Sequence, residues 1–128
     1  MHLELDHVVL RVSDLDRSCA FYAAVLGAEV LELNYDRRGL RLGDRQLNVH
    51  GPGSQPEPVA AKPAQPGGFD ACFVWPGPID GAVEHLAEHG VEIELGPVPR
   101  TGARGPGTSV YFRDPDGSLL ELMSYDAP

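Results

Sequence analysis

Two imidazoles, His7 and His50, and two carboxylates, Asp70 and Glu121, fall inside short apolar runs of this chain, where solvated polar side chains are uncommon. Imidazole nitrogen and carboxylate oxygen together suit zinc, nickel, manganese, iron or cobalt. A site with three or four such ligands keeps positions open for a bidentate substrate, on which the metal acts as a Lewis acid. Other reactive side chains give weaker signals. His85 and His89 are four apart but interleaved with Glu84 and Glu88, the pattern of a solvated helix face. Cys72 has no activating neighbour in sequence, and Lys62 is the only lysine, so thiolate and Schiff-base chemistry are not expected.

Strands and helices must position these groups. Residues 3–12 read as a buried strand; Ser13, with Asp16 three residues on, reads as the N-cap of a helix ending at Gly27. Three strands are expected next, over 28–34, 39–42 and 46–50. Residues 51–68 turn to Pro, Gly, Gln and Ala and read as a linker. The pattern then returns: a strand over 69–75, a helix opened by Pro78 and stopped by Gly90, and a strand over 91–95. A Gly/Pro/Arg loop over 96–106, with Arg100 and Arg104 as a candidate anion-binding flap, leads to strands 108–112 and 118–124 around the Asp114-Pro115-Asp116-Gly117 turn. Sliding the chain by 63 residues sets His7 on Asp70, Leu10 on Phe73 and Gly27 on Gly90, the mark of an internal duplication. The expected fold class is α+β, with two tandem βαβββ modules, about 1–51 and 68–128, joined by a linker over about 52–67 within one domain.

Strand alternation sorts the side chains. If Leu10, Leu47, Val49, Val110, Phe112, Leu120 and Leu122 pack on the helices, the opposite face carries His7, Arg11, Arg41, Asn48, His50, Asp70, Cys72, Tyr111, Arg113, Glu121 and Met123. Ten basic against nineteen acidic residues give a net charge of −9, an unfavourable field for nucleic acid or anionic lipid. No apolar run approaches the roughly 18 residues of a membrane span, and Met1-His2-Leu3-Glu4 lacks the features of a signal peptide, so a cytoplasmic protein is expected. Cys19 and Cys72 are expected to be free, buried thiols.

The runs Leu5–Val12, Ser13–Ser18 with Phe21-Tyr22, and Tyr111–Leu122 resemble the vicinal oxygen chelate superfamily of glyoxalase I, extradiol dioxygenases and fosfomycin- and bleomycin-resistance proteins. Gly96–Ala103 and Leu47–His50 resemble its virulence-type, glyoxalase domain-containing group. The resemblance implies paired βαβββ modules, whose curved mixed sheets form a cleft holding a divalent metal, and a homodimer. It implies His7 and Glu121 as ligands from the first and last strands, Asp70 at a third ligand position, and Asn48 or His50 at the fourth. The preferred set is His7, His50 and Glu121, with Asp70 as ligand or orienter, and Asp70 or Glu121 as the general base of a lyase or isomerase acting on a small oxygenated substrate. Arg41, Asn48, Arg100, Tyr111, Arg113 and Met123 would bind that substrate. Asp70 stands where extradiol dioxygenases and fosfomycin-resistance enzymes need a second histidine, which counts against both activities. The other reading is a metal-free protein that sequesters a small molecule in the same aromatic and arginine-bearing cleft, Tyr35 included.

Overall fold

A computed structural model describes residues 1–127, which divide into two compact units, the first spanning Met1–Phe69 and the second beginning at Asp70. The first runs β1 (His7–Arg11), α1 (Leu15–Leu26), β2 (Glu29–Asn34), β3 (Arg37–Leu42) and β4 (Arg45–His50). Its sheet has the order β1-β4-β3-β2, with β1 parallel to β4 and the other pairs antiparallel. Leu10, Leu40, Leu47 and Val49 on one face of this sheet are buried, as are Cys19, Tyr22 and Val25 of α1. This is the apolar half of the alternation, and its removal from water is the main force holding the unit together.

Two local expectations need correction. The first strand starts at His7, not Leu3, because β4 begins only at Arg45, after the Gly43-Asp44 turn: the Asp6 carbonyl still accepts from Gln46 N–H at 3.2 Å, but residues 3–5 lie beyond the register with β4, and Leu3 is 89% exposed. The N-cap of α1 is Asp14, not Ser13. Asp14 is extended and its carboxylate accepts from Arg17 N–H at 3.0 Å, where it also meets the positive end of the helix. Ser13 Oγ instead accepts from the Arg17 guanidinium. Gly27 closes the helix as expected, at φ +67°.

The second unit repeats the plan with β5 (Asp70–Val74), α2 (Ile79–Glu88), β6 (Leu95–Gly102), β7 (Gly105–Arg113) and β8 (Leu119–Ser124), ordered β5-β8-β7-β6 with β5 parallel to β8. Val110, Phe112, Leu120 and Leu122 are buried on its helix face with Ala82 and Leu86. The stretch read as a loop is largely strand: β6 occupies 95–102 and pairs with β7 up to a two-residue tip, Ala103-Arg104. Pro97 and Pro99 fit because β6 is an edge strand, where a missing N–H costs no ladder bond if it points outward. Residues 91–94, expected as strand, precede β6 without joining it. Among the described residues, 51–69 contain neither helix nor strand, and no helix is long and apolar enough to cross a membrane.

Candidate functional site

The strand registers arrange the polar face of each sheet in rows. In the first unit His7, Gln46 and Arg41 face one another across β1, β4 and β3; Val9, Asn48 and Gly39 form the next row; Arg11, His50 and Arg37 form the third. In the second unit the matching rows are Asp70, Leu119 and Arg113; Cys72, Glu121 and Tyr111; and Val74, Met123 and Ser109. The equivalences are therefore His7 with Asp70, Asn48 with Glu121, Arg41 with Arg113, and His50 with Met123. Of the two residues the sequence left open at the fourth position, Asn48 is the counterpart of Glu121.

His7 is half-exposed, and its Nδ1 lies 2.7 Å from Asp6 Oδ2. A carboxylate on Nδ1 fixes the proton there and presents Nε2 with its lone pair outward. Asn48 Oδ1 accepts from Gln46 Nε2 at 2.8 Å, and Gly39 opposite them makes room: a Cβ there would lie 3.0 Å from that nitrogen. In the second unit Asp70 is exposed and Glu121 half-buried. Tyr111, beside Glu121, accepts from Arg100 Nε at 2.9 Å, and the Arg100 guanidinium stands 5.4 Å from the phenol ring centroid.

Several expected site residues are otherwise engaged. Arg113 forms a bidentate pair with Glu94 at 3.0 and 2.9 Å, which lowers the Glu94 pKa and raises its own. Met123 shares the polar face but is 2% exposed, under Gly102 and Gly107 of the β6–β7 hairpin. Arg104 is no free flap: its N–H donates to the Tyr125 hydroxyl, and its guanidinium stands 5.5 Å from that ring's centroid. Tyr35 projects from the β2–β3 turn at 91% exposed, and Arg41 is exposed on the His7 row. Cys19 is buried as expected, whereas Cys72 is exposed because it lies on the face turned from α2. Desolvation first, then the carboxylates of Glu121 and Asp70, push the Cys72 thiol up to about 12, so it stays protonated at neutral pH.

His50 is 6% exposed and, among the described residues, its Nδ1 has no hydrogen-bond partner. Burial, then the guanidiniums of Arg37 and Arg11, lower its pKa against an opposing pull from Asp36. A folded-state pKa below the ordinary 6.5 means that, as pH falls through 6.5, the unfolded chain takes up a proton which the folded one resists. The stability contribution is complete above pH 6.5 and is lost progressively below it. Urea midpoints at pH 7.5 and pH 5 should therefore differ more in the wild type than in His50→Gln; equal differences would refute the assignment.

Sequence reasoning missed Asp6, Gln46, Arg37, Ser54 and Glu94. Gln46 follows from alternation with Asn48 and His50, and Arg37 from alternation with Arg41 because β3 starts at Arg37 instead of Gly39; nothing in the sequence marks the other three. Of the four expected ligands, His7 and His50 belong to the first unit and Asp70 and Glu121 to the second. Among the described residues no three His, Cys, Asp or Glu side chains are grouped to hold a metal; instead Glu121 neighbours Cys72, and His50 lies between arginines. The donor types of His7, Asp70 and Glu121 nevertheless fit a divalent ion, and Asp6 leaves His7 Nε2 oriented for one.

Several known proteins resemble this chain over nearly its whole length. The glyoxalase domain-containing protein RDO1 of Mycosarcoma maydis is 46% identical over 94% of the chain and 68% of its own length. Virulence protein STM3117 of Salmonella typhimurium is 40% identical over 94% of the chain and 83% of its own. The crystal structure of STM3117 superposes with a TM-score of 0.90, covering 98% of this chain and 99% of that one. An integron cassette protein of V. cholerae, 40% identical and covering 98% of both chains, also reaches 0.90. Two units with one strand order, and a family pattern matching residues 4–122, place the chain in the glyoxalase/bleomycin resistance protein/dioxygenase superfamily.

Proposed function

We propose that the chain is a divalent-metal-dependent lyase or isomerase for a small oxygenated substrate, with His7, Asp70 and Glu121 as ligands and Asn48 at the fourth equivalent position. The observation that carries this reading is the equivalence of His7 with Asp70 and of Asn48 with Glu121, which puts oxygen or nitrogen donors at the same two places of both units. His50, expected among the ligands, is set aside because a divalent cation beside it would meet two guanidiniums. Relatives named as a metallothiol transferase and a dioxygenase support a small-molecule enzyme without choosing its reaction.

A bound divalent metal supplies Lewis acidity toward substrate oxygens. Asp6 holds the His7 tautomer. Glu121, hydrogen-bonded to the Cys72 thiol, is the proton acceptor at the centre of its row, with Asp70 next to it on the face. Tyr111, its oxygen bonded by Arg100, keeps its own O–H to donate to a substrate oxygen. With this reading go a homodimer, a cytoplasmic location, and neither nucleic acid nor membrane as partner.

Elemental analysis of tag-free protein purified without chelator tests the proposal, followed by reloading of stripped protein with nickel, zinc, manganese and iron(II). Near-stoichiometric metal in the wild type, lost in His7→Ala, is expected. Absence of metal under every condition would replace this reading with the sequestering one, which predicts ligand binding that survives chelation.

A further inference from the structure

The third row of the first unit has no role in the proposed chemistry. Arg11, His50 and Arg37 lie side by side in register across β1, β4 and β3. Their counterparts in the second unit, Val74, Met123 and Ser109, are all uncharged. The duplicated fold is therefore built at these positions without charge, and the first unit's two guanidiniums and imidazole are not a requirement of its architecture.

Their partners are modest. Ser54, 3% exposed in the turn after β4, accepts from Arg11 Nη2 through its backbone carbonyl at 2.7 Å and from Arg37 Nε through its hydroxyl at 3.3 Å. Two guanidiniums with five donors each thus converge on two neutral oxygens, and the buried Nδ1 of His50, between them in the row, has no hydrogen-bond partner among the described residues. Arg37 and Arg11 set two positive charges on His50 against the single carboxylate of Asp36, so among the described residues the cluster is two cations against one anion. Partly buried guanidiniums bind an anionic oxygen more strongly than a neutral one, and their fork matches an oxyanion with two acceptor atoms.

We propose that Arg11, His50 and Arg37 form a seat for the oxyanion group, carboxylate or phosphate, of a small ligand, and that the two oxygens of Ser54 occupy it when the ligand is absent. The anion replaces Ser54 on both guanidiniums and accepts from His50 in its Nδ1–H tautomer, and the Gly51–Ser54 turn lifts to admit it. Gly53, at φ +80°, gives that turn a hinge with no side chain to obstruct it. On the metal reading, a ligand anchored here extends along β1 toward His7, four residues or roughly 13 Å away. The seat itself does not depend on that reading and is tested without metal.

Metal-stripped full-length protein with 15N-labelled histidine and backbone is titrated with inorganic phosphate, and separately with acetate, at constant ionic strength against chloride. Saturable shifts of the His50 ring nitrogens and the Ser54 amide are expected, with affinity roughly tenfold weaker in Arg37→Gln. Tighter phosphate binding identifies a phosphorylated ligand; tighter acetate binding identifies a carboxylate. Ser54→Ala, which removes one competing oxygen, should bind severalfold more tightly, and it carries the test if Arg37→Gln does not fold. Equal shifts with chloride, no saturation, or an affinity unchanged in both variants would overturn the proposal. None of these outcomes bears on metal loading through His7, so the two readings fail separately.

Discussion

Gly96→Ala is expected to destabilise the protein by about 3–5 kcal/mol and to lower its melting temperature by roughly 10–20 °C. Gly96 has φ +114°, a region closed to L side chains, and lies in β6 at the irregularity in its pairing with β7. A Cβ there would overlap the backbone carbonyl oxygen of Ser109 and come within 3.1 Å of Val110 Cα. Neither atom can retreat: Ser109 and Val110 are fully buried in the middle of β7, next to Phe112. Gly43→Ala serves as control. Its φ of +60° imposes backbone strain, but among the described residues nothing lies within 4 Å of the added methyl, so a loss of only about 1 kcal/mol is expected. Chemical denaturation of both variants separates strain from collision; equal losses would mean that β6 moves away from β7 to accommodate the methyl.

Alternation accounts for what was legible in the sequence. Once Leu10, Leu47 and Val49 are assigned to the helix, the side chains between them have no other face to occupy, and the structure puts His7, Asn48 and His50 there. The duplication was equally legible, because Gly27 and Gly90 both adopt left-handed conformations after a helix, at φ +67° and +68°. Periodicity cannot report what a side chain meets once on its face. His50 shares a face with Asn48, yet the neighbours that decide its chemistry, Arg37 and Ser54, come from another strand and from a turn. Asp6 was hidden for a related reason: a residue before His7 in a continuous strand would point away from it, but the strand begins at His7 and Asp6 is free to turn back. The β6 strand was misread because Pro97 and Pro99 usually mark loops, and only its place at the edge of the sheet makes them compatible with pairing.

Glu121→Gln is expected to have the largest effect on the proposed site, and two independent readouts should move together. The substitution keeps the shape of the side chain and removes its charge. As a ligand, Glu121 contributes a formal negative charge to a dication, and an amide in its place is expected to weaken metal binding by about 100-fold or more, measured by competition with a chromophoric chelator. The second readout is Cys72, its register partner on β5, whose thiol is held at about 12 by desolvation, by Glu121 through charge and hydrogen bond, and by Asp70. Removing the Glu121 charge lowers that value while desolvation and Asp70 keep it above the ordinary 9.0. In metal-stripped protein on a Cys19→Ala background, thiolate absorbance should appear at lower pH, and alkylation at fixed pH should quicken about three- to fourfold for each unit by which the pKa falls, the larger thiolate fraction being partly offset by lower nucleophilicity. A thiol that responds while metal affinity does not would leave Glu121 beside Cys72 but remove it from the ligands. Metal loss with an unmoved thiol would remove the carboxylate from its place in the Cys72 row, and both changes together are what a charged ligand at the centre of that row requires.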